Sequence, residues 1–137
     1  MAFNCCLLSS SHYAAIVLIH YRVFLLQTRW SSLGLPFKPS MAANGCHASA
    51  GPLEGLKERL VWCAQDTAYS DASLASDSFG QALLERGVAP ATLRQWLQEN
   101  PVVSAPGGIG PDKVFDLTEG MDSANVLGLA PKFSTAE

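Results

Sequence analysis

Between Leu83 and Leu97 the chain reads LLERGVAPATLRQWL, and Gly87 decides what this stretch can become. Glycine adopts the left-handed conformation that ends a helix without a steric penalty, so a helix over residues 78–86 stops there. Ser78 and Gln81 stand at capping-box spacing at its start. Pro90 then supplies a fixed φ suited to a first helical turn and lacks only an N–H that would be unpaired anyway. A second helix therefore begins at Pro90, with Leu93, Trp96 and Leu97 on its inner side and Arg94, Gln95, Gln98 and Glu99 outward, and Asn100-Pro101 stops it.

Residues 52–65 place Leu53, Leu56, Leu60 and Cys63 at helical spacing, with Val61 and Ala64 beside them and Pro52 in the first turn. Glu54, Glu58, Lys57 and Arg59 fall on the wet side of that helix. Residues 66–77, DTAYSDASLASD, are rich in side chains that compete with the backbone for hydrogen bonds, which reads as a solvated, turn-rich connection. Serine beside aspartate also suits phosphorylation, but a loop accounts for the composition more simply. After the hairpin, residues 102–104 read as a short strand, residues 105–111 as a glycine turn, and residues 113–117 (KVFDL) as the second strand of a ribbon. Residues 121–137 hold Val126, Leu127, Leu129 and Phe133, but Gly128 and Pro131 interrupt any period, so a flexible tail that docks weakly or frays is expected. The fold class is thus mainly α: a small three-helix domain over residues 52–120 with a helix-turn-helix-like hairpin and a two-stranded β-ribbon, preceded by a poorly structured leader. Leu56, Leu60, Leu83, Leu93, Trp96 and Leu97 are its expected core. A unit this small draws only a few kcal/mol from a single core, so a protein partner or a homo-oligomer is expected.

Charge divides the chain at Glu54, its first acidic residue. Arg22, Arg29 and Lys38 give residues 1–53 a charge of +3; the remainder holds six basic and twelve acidic residues, −6. Residues 13–26, YAAIVLIHYRVFLL, form the most apolar run and read as a single apolar helix. A secretory signal carries positive charge ahead of such a run. Here Arg22 lies inside it and none precedes it, so secretion is disfavoured. Residues 5–26 reach the about 20 residues a membrane span needs, yet they include Ser9 to Ser11, His20 and Arg22. One central arginine costs about 2.5–3.5 kcal/mol, against a few tenths gained per apolar residue, so a membrane anchor is marginal. The Ser-rich, Arg-bearing, acid-poor composition fits a mitochondrial or plastid transit peptide better. Met41 opens MAANGCHASAG and offers a second start, in which case the preceding residues are an extension and the cytoplasm is the expected compartment. Residues 31–51 are linker, which makes residues 1–51 leader and linker together.

The order helix, Gly-Val corner, helix, glycine-tipped ribbon is that of a winged helix-turn-helix. GVAPATLRQWL at residues 87–97 resembles the turn and recognition helix of the mercury-resistance-type regulators and the related small excisionases, and the likeness extends over residues 78–117. It implies DNA as a partner, with Ala89, Thr92, Arg94 and Gln95 facing the groove. Val88, Leu93 and Trp96 would pack the core, and the loop from Gly107 to Lys113 would be the wing. The sequence departs from that pattern in its charge. The wing offers only Lys113, beside Asp112. Over residues 78–117 three cations (Arg86, Arg94, Lys113) face four anions (Glu85, Glu99, Asp112, Asp116), a poor basis for the roughly six to ten phosphate contacts of a typical binder.

Catalytic chemistry has little to start from. No histidine follows Cys63, which excludes a Cys–His couple within the domain. Its place on the apolar stripe predicts an inert buried thiol. Cys5, Cys6 and Cys46 make no disulfide framework with it, and His12, His20 and His47 form no ligand pattern, so free thiols and no metal are expected. The carboxylate pairs Asp71/Asp77 and Asp112/Asp116 lie in turn-like sequence and read as solvated charge. GGIG at residues 107–110 lacks the Lys-Ser/Thr and the helix that a phosphate cradle uses. No cofactor or small molecule is indicated. The leading expectation is a non-catalytic protein-interaction module whose contact surface is Ala89, Thr92, Arg94, Gln95, Gln98 and Lys113; a winged-helix DNA binder using the same strip is the alternative.

Overall fold

The computed structural model describes residues 12–40, 42–64, 67–107 and 110–135. Readings that concern Cys5, Cys6, Met41, Gln65, Asp66, Gly108 and Ile109 lie outside them. The chain forms two compact units, Met1–Ala48 and Ser49–Glu137, and is mainly helical, as its patterning predicts.

The first unit is built on α1 (His12–Arg29), which contains the apolar run and extends past both its ends. The Thr28 hydroxyl donates back to the carbonyls of Phe24 and Leu25 at 2.9 and 3.1 Å. The turn after the helix closes with Leu33 N–H on the Arg29 carbonyl and Leu35 N–H on that of Trp30. Among the described residues no helix is long and apolar enough to cross a membrane.

The second unit begins at Ser49, so the last three residues of the expected linker belong to it. The Ser49 hydroxyl donates to Glu58 at 2.5 Å, Ala50 N–H donates to Glu54 at 2.6 Å, and the Ala50 carbonyl accepts from Gly120 N–H at 2.9 Å. Carboxylates expected to face water thus fasten the entry of α2 (Pro52–Ala64). A chain segment poor in pattern is ordered by partners supplied from elsewhere.

Residues 71–76, expected to be loop, form the short helix α3 (Asp71–Ser76). The serines that argued for a loop build its start instead: Ser70 accepts from Ser73 N–H at 3.1 Å, and the Ser73 hydroxyl donates to the Thr67 carbonyl at 2.6 Å. Leu74, fully buried, anchors the turn. The next helix, α4 (Ser78–Glu85), is capped by Asp77 and not by Ser78. Asp77 accepts from Phe79 and Gly80 N–H at 2.9 and 3.1 Å, and Gln81 turns forward to Glu85 at 2.8 Å and not back to the cap. Gly80 lies against α3 so closely that a Cβ there would stand 2.3 Å from the Leu74 carbonyl oxygen. The corner is as the sequence predicts. Gly87 has φ +94°, Val88 N–H donates to the Leu83 carbonyl, and α5 (Pro90–Glu99) starts on Pro90.

Asn100, at φ 48°, ends α5 in the left-handed region. β1 (Val102–Ser104) follows and pairs antiparallel with β2 (Asp112–Lys113), so the ribbon exists but is shorter than expected. The stretch expected to continue it is the helix α6 (Val114–Thr118). Val114 and Thr118 are one helical turn apart and both fully buried. The Asn100 side chain accepts from Phe115 N–H at 2.9 Å, which favours the helical start over a longer strand. Buried Thr118 satisfies its hydroxyl on the carbonyls of Val114 and Phe115 at 3.0 and 3.2 Å.

Residues 121–135 take up regular structure where their glycine and proline suggested a tail that docks weakly or frays. They contain α7 (Ser123–Leu129), a 3-10 turn (Ala130–Lys132) and β3 (Ser134–Thr135). β3 pairs antiparallel with β1 through Val103↔Thr135 and Ser104↔Ser134, which completes a sheet of order β2-β1-β3. Pro131 sits in the first turn of the 3-10 helix, where proline is tolerated, and Gly128 sits on the exposed side of α7. Val126 and Ala130 are buried, and the Phe133 ring lies 5.7 Å from that of Trp96 at 60°.

The core of this unit joins Leu53, Leu56 and Leu60 of α2 to Leu74, Leu83, Val88, Leu93, Trp96 and Leu97, closed by Val103, Val114, Val126 and Ala130. Each large apolar side chain fully removed from water contributes about 1.5–3 kcal/mol before entropy is counted. The six residues expected in the core are all buried.

Candidate interaction surface

The outer face of α5 follows from its period. Successive residues turn by about 100°, which sets Ala91, Arg94, Gln95 and Gln98 opposite buried Leu93, Trp96 and Leu97. Gln95 and Gln98 are exposed, and the Gln95 amide donates to Glu99 at 3.1 Å. Arg94 is half-buried and forms an ion pair with Asp71 at the start of α3. Thr92 stands about 160° around the helix from Arg94 and is half-buried. Ala89 is exposed at the N-cap of α5. Lys113 is exposed on the edge strand β2, where its N–H is taken by Asp112 at 2.8 Å. Of the expected contact residues the helix therefore brings Arg94, Gln95 and Gln98 onto one strip, with Ala89 at its end. Thr92 belongs to the border of the core and Lys113 to a separate element.

A second exposed feature lies at the end of α2. Trp62 is 64 % and Val61 44 % exposed, and Cys63 is an exposed free thiol. The buried thiol expected at Cys63 is thus corrected. Leu60 is the last buried residue of the helix among those described, and Cys63, in register with the stripe, stands clear. Trp62 escaped the reading of the sequence although the signal was present: it falls about 180° around the helix from Leu53.

Electrostatics concentrate at Asp77. Its carboxylate meets Arg59 at 2.7 and 3.1 Å, with both side chains largely buried. Burial pushes the Asp77 carboxyl up. The bonds from Arg59, Gly80 N–H and Phe79 N–H outweigh that and hold it below its ordinary value of 3.8. Neither Arg59 nor Asp77 is therefore the solvated charge that the sequence suggested. Lys57 lies 5.5 Å from the centre of the Phe115 ring, a cation–π contact that ties α2 to α6.

Other chemistry is sparse. An open depression beside α7 is lined by Met121, Ala124, Asn125, Gly128 and Leu129, none of them a nucleophile or a titratable group. Among the described residues no three His, Cys, Asp or Glu side chains are placed to hold a metal ion. Comparison of the chain with family models, with curated proteins and with solved structures gives no significant match.

Proposed function

We propose that the second unit is a protein-interaction module. The observation that carries this reading is Trp62, a large apolar side chain left 64 % exposed with Val61 beside it on a helix otherwise rooted in the core. Tryptophan is highly buried on average, and it is among the residues that dominate binding energy when they enter a partner's pocket. The α5 strip of Gln95 and Gln98 offers polar contacts suited to the rim of such an interface. The partner is another protein or a second copy of the chain.

A photo-reactive amino acid placed at Trp62, and separately at Gln98, in the full chain in its native host tests this, together with sedimentation of the purified protein. A discrete adduct at Trp62, or a concentration-dependent dimer abolished by Trp62→Ser, is the expected result. A monomer without adducts at either position sinks the reading.

The order α4, glycine corner, α5, β1–β2 ribbon favours a second reading, a winged-helix DNA binder. The charge opposes it: Arg94 is occupied by Asp71, and Lys113 is the sole cation of the ribbon's two strands. Retention of the full chain on random duplex DNA at low salt, falling steeply as salt rises, would support that reading. No retention would remove it.

A further inference from the structure

The first unit exposes an apolar face that no polar pattern explains. On α1, Tyr21 is 58 % and Phe24 59 % exposed, and beyond the helix Leu33 and Phe37 are similarly open to water. With Tyr21 as reference, the helical repeat sets Thr28, Leu25 and Phe24 within about 60° of it. Arg22 and Arg29, both exposed, lie about 80–100° round and line one edge of this face. Val23, on the opposite side, is buried. Lys38 is exposed next to Phe37, and no acidic residue occurs before Glu54.

We propose that this unit lies on the surface of a membrane rich in anionic phospholipid. Tyr21, Phe24, Leu33 and Phe37 enter the boundary between headgroups and acyl chains, while Arg22, Arg29 and Lys38 meet lipid phosphates. Isolated exposed apolar side chains are ordinary. Several of them with a flank of one charge sign are the pattern of an interfacial helix, which lies in the plane of the membrane and needs no uninterrupted apolar span. Aromatic rings favour this depth. The uniform positive charge selects the occupant: it complements an anionic surface and repels a second copy of the same face.

The test uses the full chain, sedimented with phosphatidylcholine vesicles containing about 30 % phosphatidylserine, a strongly anionic surface of the kind that attracts basic segments, and with pure phosphatidylcholine vesicles. Binding to the anionic vesicles is expected, more than about twenty-fold weaker on the neutral ones and weaker at high salt. Each arginine near such a surface is worth about five-fold in affinity, so Arg22→Gln with Arg29→Gln lowers binding about twenty-fold. Tyr21→Ser with Phe24→Ser abolishes it at any salt. The arginine pair is exposed, so its substitution leaves the far-ultraviolet circular dichroism unchanged and keeps the test independent of misfolding. Equal binding to neutral vesicles, no binding to either kind, or self-association through Tyr21 and Phe24 in place of vesicle binding would overturn the proposal.

Discussion

The α4–α5 hairpin and the segment that follows it are held by different kinds of bond. In the hairpin nearly every decisive interaction joins residues close in sequence: Asp77 to Phe79 and Gly80, Val88 to Leu83, Asn100 to Trp96. The carboxy-terminal segment is built from shorter pieces, and its partners are remote. Phe115 N–H reaches Asn100, Gly120 N–H reaches Ala50, β3 reaches β1, and Phe133 reaches Trp96. A helix of five residues cannot repay its own nucleation, so α6 is stable only because the hairpin and α2 are already there to receive it. The reverse dependence also holds, since Trp96 is covered in part by Phe133. Local bonds select the shape of the hairpin. Remote ones complete its interior.

Four measurements would break or sharpen this contrast. Ending the chain after Met121 removes Val126, Ala130, Phe133 and β3. Fully buried Val126, worth about 1.5–3 kcal/mol, is then lost together with the cover that Phe133 gives Trp96, from a unit with only a few kcal/mol to spare. The cooperative thermal transition seen by circular dichroism should disappear; a truncated chain that melts with the full chain's midpoint would show that the hairpin stands alone. Gly80→Ala tests the closest local approach, because the new methyl meets backbone at Leu74 and not a movable side chain. Overpacking of this kind costs about 1–3 kcal/mol, to be read from denaturant unfolding, and a stabilised variant would mean that α3 gives way freely.

Asp77→Ala removes a helix cap, a loss of about 1–2 kcal/mol at neutral pH, together with the partner of Arg59. Because folding lowers the Asp77 pKa, its contribution is present above the unfolded value near 3.8 and is lost as pH falls through the folded one. Melting curves of wild type and variant should therefore converge in acid. A gap that persists would deny the carboxylate its role. Smallest is Arg94→Ala. Its ion pair with Asp71 is exposed on the carboxylate side, and such pairs contribute about 0.2–1 kcal/mol, so its midpoint should shift by roughly one to eight degrees. A larger loss would make α5 and α3 one locally cemented block.

The same contrast explains what could be read from the amino-acid sequence. Gly87, Pro90 and the Leu93, Trp96, Leu97 spacing act within a few residues, and the hairpin and its buried face were legible from them. Asp77 outcompeted Ser78 as cap because Arg59, eighteen residues earlier, holds it in place. No local spacing contains that information. α6 and β3 were illegible for the same reason: one depends on the Asn100 side chain, the other on a free edge of β1. On the candidate surface the outward direction of Gln95 and Gln98 follows from the helical period, whereas the engagement of Arg94 by Asp71 requires α3, whose composition is that of a loop. Trp62 is the exception. Its position opposite Leu53 follows from the helical period alone.

The placing of β1 between two strands of two residues each has a consequence for the integrity of the chain. The carboxy-terminal strand acts as a seal: while Ser134 and Thr135 are in place, the main-chain groups on that side of Val103 and Ser104 are covered. Cleavage just ahead of Ser134 that released β3 would leave the buried side chains nearly intact yet bare a strip of unpaired amides and carbonyls beside the half-exposed Val102. Such a strip templates intermolecular pairing, so clipped molecules should stick to one another well before they unfold.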